Sequence, residues 1–188
     1  MISCIIPAAG TSSRMGAWKI LLPLQGIPII FHSIEALLPL DVPITVVTGY
    51  RGIQLESIIR SEYPQVQLVR NSDYELGMYG SVCRGLAGIS VDSDALILPA
   101  DMPLITADHI RPLISLWNAK QVLRPACEGK PGHPVLISAQ VVRRALEQPG
   151  LDSMHQLIGE YTISYFETDD PAYITDADTP EAYRHLRS

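Results

Sequence analysis

The amino-acid sequence predicts an α/β fold with a parallel sheet covered by helices on both faces. Three observations predict it. Short apolar runs rich in β-branched residues recur along the chain, segments with helical spacing separate them, and apolar residues are plentiful enough for one substantial core. Short buried-type strands alternating with helices are the pattern a parallel sheet requires, because each crossover helix covers a face.

The elements follow in order. Ile2–Pro7 is an apolar run but for Ser3 and reads as a first strand buried on both faces. Ile29–Leu38 carries Ile30, Ile34, Leu37 and Leu38 at helical spacing, and Ile44–Thr48 is the next strand. Ile53–Tyr63 sets Ile53, Leu55, Ile58 and Ile59 near one side of a helix, ahead of a strand at Val66–Val69. Ser81–Ile89 is a short, glycine-containing helix that leads to the strand Ala95–Leu98. Thr106 suits the N-cap of a helix through Trp117, where Pro112 either marks off a first turn or kinks the helix. Glu128–Pro134 is a loop by composition, and Val135–Ile137 is a further strand. Thr179, with Pro180 at the first helical position, starts the last helix. No repeat, low-complexity tract or linker breaks the series, so residues 1–188 read as one domain.

Composition narrows the functional classes. A chain of 188 residues, 47% hydrophobic and 18% charged, is globular in type and short for two ordinary domains. Fourteen Lys and Arg against 20 Asp and Glu give a net charge of −6, which argues against nucleic acid as a main partner. Phosphorylated small molecules stay open, since they need only a few local cations. Cys4, Cys83 and Cys127 are odd in number and lack metal-ligand spacing, so free thiols in a reducing compartment are expected. With no leader-like segment and no run long enough to span a bilayer, the expected location is cytoplasmic, away from membranes.

The chemistry concentrates in three segments. The run Pro7–Lys19 (PAAGTSSRMGAWK) directly follows the first strand, at the sheet edge where open α/β folds bind ligands. Its small residues admit a ligand close to the backbone, whose N–H groups can cradle phosphate oxygens, and Arg14 and Lys19 add cations. The spacing fits neither the Walker loop nor the dinucleotide fingerprint. In Leu96–Pro103 (LILPADMP) an apolar strand runs into Asp101, which should emerge at the same edge. Such a carboxylate suits Mg²⁺, which takes oxygen ligands from one or two carboxylates and from substrate phosphates; an ordinary turn Asp is the competing reading. Near the C-terminus Asp176 and Asp178 precede Thr179-Pro180, so Asp178 is either a second Mg²⁺ ligand or, with Asp176, a helix cap. Two further stretches are candidates. Asn71–Val82, with Gly77 and Ser81, suits a loop against a base or ribose, and Gly132-His133-Pro134 places a histidine where it would meet an acceptor. His32, His109, His155 and His185 share no metal spacing.

Taken in order, AAGTSSRMGAWK, VTGYRG at Val47–Gly52, LPADMP at Leu98–Pro103, GHPV at Gly132–Val135 and DTPE at Asp178–Glu181 resemble the molybdenum cofactor cytidylyltransferases, within the molybdopterin nucleotidyltransferase group. The resemblance covers essentially the whole chain. It implies a single three-layer α/β/α Rossmann-like domain with a mostly parallel sheet. The implied reaction joins CMP from CTP to molybdenum-bearing molybdopterin, with release of pyrophosphate. By the same resemblance Ala8, Ala9 and Gly10 line the nucleotide, Arg14 holds the β- and γ-phosphates, Lys19 holds the α-phosphate, and Ser81 lies near the base or ribose. Asp101 holds Mg²⁺, with Asp178 as a candidate further ligand. Ala9 stands where the guanylyl branch typically has a second glycine, which favours cytidine, while Pro7 replaces an apolar or threonine residue common in relatives.

Because the attacking phosphate is already an anion, no general base is required, which removes the main reason to make His133 catalytic. Two rival readings remain open: a same-fold transferase for GTP or another nucleotide with a different phosphorylated acceptor, and a non-catalytic chaperone delivering the cofactor to a molybdoenzyme. Nucleotide-dependent stabilisation separates the first, and pyrophosphate release the second. For an anionic acceptor, Arg70, Arg124 and Lys130 are candidate contacts by charge and loop position.

Overall fold

The computed structural model describes residues 1–11, 17–118 and 120–187. The chain runs β1 (Ile2–Ala8), β2 (Pro23–Leu24), β3 (Ile27–Pro28), α1 (Ile29–Leu37), β4 (Ile44–Thr48), α2 (Gly52–Glu62), β5 (Gln67–Arg70), α3 (Met78–Leu86) and β6 (Asp94–Ile97). It continues through α4 (Ala107–Leu116), β7 (Val122–Cys127), β8 (Lys130–Pro131), β9 (Val135–Ile137), α5 (Ala139–Glu147), α6 (Met154–Ile158), β10 (Ile163–Thr168) and α7 (Pro180–Arg187). The main sheet has the order β10-β7-β9-β6-β1-β4-β5, with β8 hairpinned onto β7. Apart from that hairpin strand, β9 alone among the described strands of this sheet is antiparallel to its neighbours β6 and β7; β10, β7, β6, β1, β4 and β5 run the same way. A mostly parallel sheet is therefore present.

Side-chain alternation along the central strands explains the two helical layers. In β1, Cys4, Ile6 and Ala8 pack to one face with Ile34 of α1, Leu55 of α2 and Leu113 of α4. Ile5 packs to the other with Val82 of α3, Val141 of α5 and Leu157 of α6. Strand β6 splits likewise, Leu96 to the first layer and Ala95 and Ile97 to the second. Strands covered on both faces are apolar at most positions, which is why Ile2–Pro7, whose one polar residue Ser3 is buried, lacks a polar alternation.

Several expected elements shift. The helix expected at Ser81–Ile89 starts at Met78, because Gly77 serves as its N-cap in the run that read as loop. Pro112 does not divide α4, which runs unbroken from its cap at Thr106; Thr106 and His109 close a reciprocal capping box there. Within Glu128–Pro134, Lys130 and Pro131 pair back on Cys127 and Ala126 across a tight turn. Its Glu128 and Gly129 both have positive φ, 50° and 74°, a turn whose sequence signal is weak because the first position is not Asn, Asp or Gly. Strands β7 and β10 and helices α5 and α6 were not anticipated. In β7, Pro125 argues against a strand; it is tolerated because the β7–β9 ladder ends at Leu123–Leu136, before Pro125 would have to donate.

Candidate functional site

Strands β1, β4, β5, β6 and β7 all end at one sheet edge. Because β9 runs the other way, it begins there, which carries Gly132 and His133 to the same edge. A cavity of about 320 Å³ opens at this edge, lined by Ala8, Gly10, Lys19, Asp101, His133, Asp176 and Asp178. A second of about 230 Å³, lined by Ala9, Gly10, Thr11, Tyr74, Gly77 and Ser81, adjoins it across Pro7, Gly10 and Met78. Arg14 lies outside the described residues.

Lys19 opens a 3₁₀ turn, Lys19–Leu21, and is placed by its neighbour. Trp18 is buried and meets Tyr50 edge-on at 5.8 Å, with the Arg51 guanidinium 5.9 Å from the Trp18 ring. The loop after β4 presses on the phosphate-type loop as well: Tyr50 N–H donates to the Ala9 carbonyl at 3.0 Å. Gly49 permits this approach, since a Cβ there would lie 2.7 Å from the Ala9 Cβ.

The Lys19 ammonium donates to both Asp101 Oδ2 and Asp178 Oδ1. Asp101 follows β6 by the short stretch Leu98–Ala100, held where Leu98 N–H donates to the Ile5 carbonyl at 3.0 Å. Asp178 arrives from far along the chain because Ala177 N–H donates to the Asp101 backbone carbonyl at 2.9 Å. Asp176 does not cap α7; its Oδ1 accepts from Asp178 N–H at 2.9 Å. Nor does Asp178, since the cap is Thr179, whose Oγ1 accepts from Ala182 N–H at 3.1 Å. The capping alternative is thereby overturned in favour of Thr179.

Burial raises the Asp101 carboxyl above its ordinary range, the Lys19 ammonium pulls it back, and Asp178 and Asp176 add to the rise. Burial alone would lower the Lys19 ammonium, but the facing carboxylates outweigh it and hold it above its ordinary value, firmly protonated. Carboxylate oxygens from Asp101 and Asp178 side by side form the donor set a hard divalent cation takes when substrate phosphates and water complete its shell. Among the described residues no cluster of three or more His, Cys, Asp and Glu forms a protein-only metal cage.

His133 is fixed through its backbone, its N–H donating to the Tyr173 carbonyl at 2.8 Å. Gly132 allows this, since a Cβ there would lie 2.3 Å from the Tyr173 carbonyl oxygen. Burial, helped by the Arg124 charge, pushes the imidazole down to about 4, so the ring is neutral at physiological pH. Its Nδ1 is buried and has no hydrogen-bond partner among the described residues. Arg124, a candidate acceptor contact, spends its Nε and Nη2 on the Gly132 carbonyl at 3.2 and 3.0 Å. Arg70 forks onto Glu56 and lines neither cavity. Lys130 sits exposed on β8 and lines neither cavity.

Ser81 is buried at the first turn of α3 and faces the second cavity. Met78 and Tyr74 line the site without having been singled out; both lie within the Asn71–Val82 stretch, which marked the region but not the residues. No described helix is long and apolar enough to cross a membrane.

Comparison with known proteins gives the family and bears on the fold. The chain is 35% identical over 185 residues to the molybdenum cofactor cytidylyltransferase of Escherichia coli K12, covering 97% of this chain and 93% of that one. Among solved structures, a Methanothermobacter nucleotidyl transferase superposes with a TM-score of 0.85 at 24% identity, covering 100% of this chain and 96% of its own. Rv0371C of Mycobacterium tuberculosis H37Rv, solved in complex with manganese, gives 0.80 at 20% identity, covering 99% and 97%. At these identities the two structures bear on the fold. The model of the MobA-like NTP transferase domain matches residues 4–164, and the chain belongs to that family: it is a nucleotidyltransferase.

Proposed function

We propose that the protein, acting as one domain over residues 1–188, transfers CMP from CTP to the terminal phosphate of molybdenum-bearing molybdopterin and releases pyrophosphate. The observation that carries this reading is the meeting of Lys19, Asp101 and Asp178 on the cavity at the carboxyl edge, together with 35% identity along 97% of the chain to a protein named for that activity. Ala9, where the guanylyl branch typically has glycine, supports the choice of cytidine.

In this reading the small-residue loop Ala8–Gly10 lets the triphosphate lie against backbone N–H groups, and the base enters the cavity of Gly77 and Ser81. Arg14 grips the β- and γ-phosphates and Lys19 the α-phosphate. A terminal phosphate oxygen of the acceptor attacks the α-phosphorus in line, the bond to the β-phosphate bridge breaks, and pyrophosphate departs with that electron pair. The protonated Lys19 stabilises the charge that grows on the non-bridging and leaving oxygens. Asp101 and Asp178 would hold Mg²⁺, which when bound neutralises triphosphate charge. Neutral His133, which lines the cavity, would with Gly132 meet the acceptor and orient it without exchanging a proton. Positioning supplies much of the remaining acceleration.

Incubation with each nucleoside triphosphate, Mg²⁺ and molybdenum-loaded molybdopterin, followed by mass detection, tests the proposal. The cytosine dinucleotide and pyrophosphate are the expected products. A guanine or other dinucleotide in its place would overturn the cytidine assignment, and no dinucleotide with any nucleotide would overturn the acceptor.

A further inference from the structure

We propose that Asn71 is a positioning residue for nucleotide selection: it fixes the Ser81 hydroxyl as a hydrogen-bond donor into the cavity beside Gly10 and Gly77, so that the subsite favours a ring presenting an acceptor there. The inference rests on reading that cavity as the base subsite.

A backbone N–H, which can only donate, fixes the orientation of the Asn71 amide. Asp73 N–H donates to Asn71 Oδ1 at 3.1 Å, so that atom must be the amide oxygen. The other end of the amide is therefore the NH₂, and it lies 3.0 Å from Ser81 Oγ. Ser81 Oγ consequently accepts, and its own proton must go elsewhere. No backbone carbonyl of α3 or of its cap, and no other described group, takes that proton, although a serine in a helix often donates to the carbonyl one turn back. Asn71 and Ser81 are 3% and 2% exposed, so the pair is shielded from solvent competition. What Ser81 does face is the cavity it lines. Asn71 itself is anchored by its N–H donating to the Thr48 carbonyl at 2.8 Å, which ties the relay to the end of β4. A buried donor left without a partner is unfavourable, so a ring carbonyl or unprotonated ring nitrogen at that point gains affinity that a ring offering only N–H or C–H lacks.

Asn71→Asp is the discriminating variant. It is nearly isosteric and keeps the oxygen that accepts from Asp73, but its second oxygen now accepts, which turns the Ser81 proton away from the cavity. Affinities for CTP, GTP, ATP and UTP with Mg²⁺, measured by calorimetry without acceptor, are compared for the native protein, Asn71→Asp, Ser81→Ala and the double variant. Each single change is expected to weaken the best-bound nucleotide on the order of tenfold, and the double variant to bind no worse than either. In turnover the loss falls on the nucleotide KM rather than on kcat. Additive losses in the double variant, or unchanged affinity in Asn71→Asp, would overturn the assignment. Should melting curves show that Asn71→Asp does not fold, Ser81→Ala decides: unchanged affinity there also overturns it. Failure of the native protein to bind any of the four would instead overturn the nucleotide reading itself.

Discussion

Glu56 and Asp101 are both carboxylates held at the carboxyl edge of the sheet against basic side chains, yet their surroundings differ in kind. Glu56 Oε1 accepts from Thr48 Oγ1 at 2.7 Å and Arg70 Nε at 2.9 Å, while Oε2 accepts from Arg70 Nη2 at 2.7 Å. The Arg70 fork, opposed by burial and aided by the Thr48 hydroxyl, holds the Glu56 carboxyl below its usual range. This cluster closes on itself and fastens the ends of β4 and β5. Asp101 instead shares the Lys19 ammonium with Asp178, lines an open cavity, and has its carboxyl raised by burial. A closed pair is a fastening, whereas a cation shared between carboxylates on a cavity wall is the arrangement that the proposed transfer uses.

Replacing Lys19 should break the contrast most sharply. Lys19→Ala is expected to lower kcat on the order of a thousandfold, a loss that persists at temperatures where the variant is folded. Near-normal turnover in that variant would sink its role in phosphoryl transfer. His133, on the same cavity, sharpens the contrast, since it is buried but uncharged. Its pKa falls from the ordinary 6.5 to about 4 on folding, so between those values the unfolded chain holds a proton the native state lacks. Native stability therefore drops as the pH falls through that window, by about 3 kcal/mol in all. His133→Gln should abolish that part of the loss in denaturant titrations at about pH 7 and about pH 4.5; an unchanged acid dependence would count against a buried neutral ring.

The closed cluster should show the reverse signature from Lys19. Glu56→Gln is expected to lower the midpoint in unfolding experiments, because Arg70 and Thr48 lose a charged partner, with kcat unaltered at temperatures where the variant is folded. Since the Glu56 pKa is lowered on folding, its contribution is full at neutral pH and vanishes as the pH falls through the carboxylate range. A large fall in kcat without loss of stability would erase the distinction between the clusters. The finest test compares two neighbours: Asp178→Asn should raise the Mg²⁺ needed for half-maximal activity about tenfold, and Asp176→Asn less than about twofold. The opposite ranking would exchange their roles.

Much of this was legible in the sequence where local chemistry governs. Ile2–Pro7 and Ala95–Leu98 declare themselves as strands because each is apolar on both faces, and the residues after them mark the edge with Lys19 and Asp101. Thr106 and Thr179 signal their caps directly. Strand β7 was hidden by the charge of Arg124 and by Pro125, a residue tolerated there because the ladder with β9 has already ended, a fact set by the partner strand. Asn71 was equally hidden as a functional residue, because an amide's role depends on which end a distant backbone N–H fixes.

The sequence by itself determined the alternation of strand and helix, the small-residue loop, and the supply of a lysine and acidic residues near strand ends, since these follow from periodicity and residue type. Only the tertiary structure decided that Asp178, 159 residues from Lys19, meets the same ammonium as Asp101, and that Asp176 does not. It also decided that reversal of β9 brings His133 to the cavity, and that Arg70 turns away to Glu56. Those outcomes rest on sheet order, strand direction and single backbone bonds such as Ala177 to Asp101. Such long-range geometry leaves no trace in local spacing, because the energy that fixes it comes from packing the whole core.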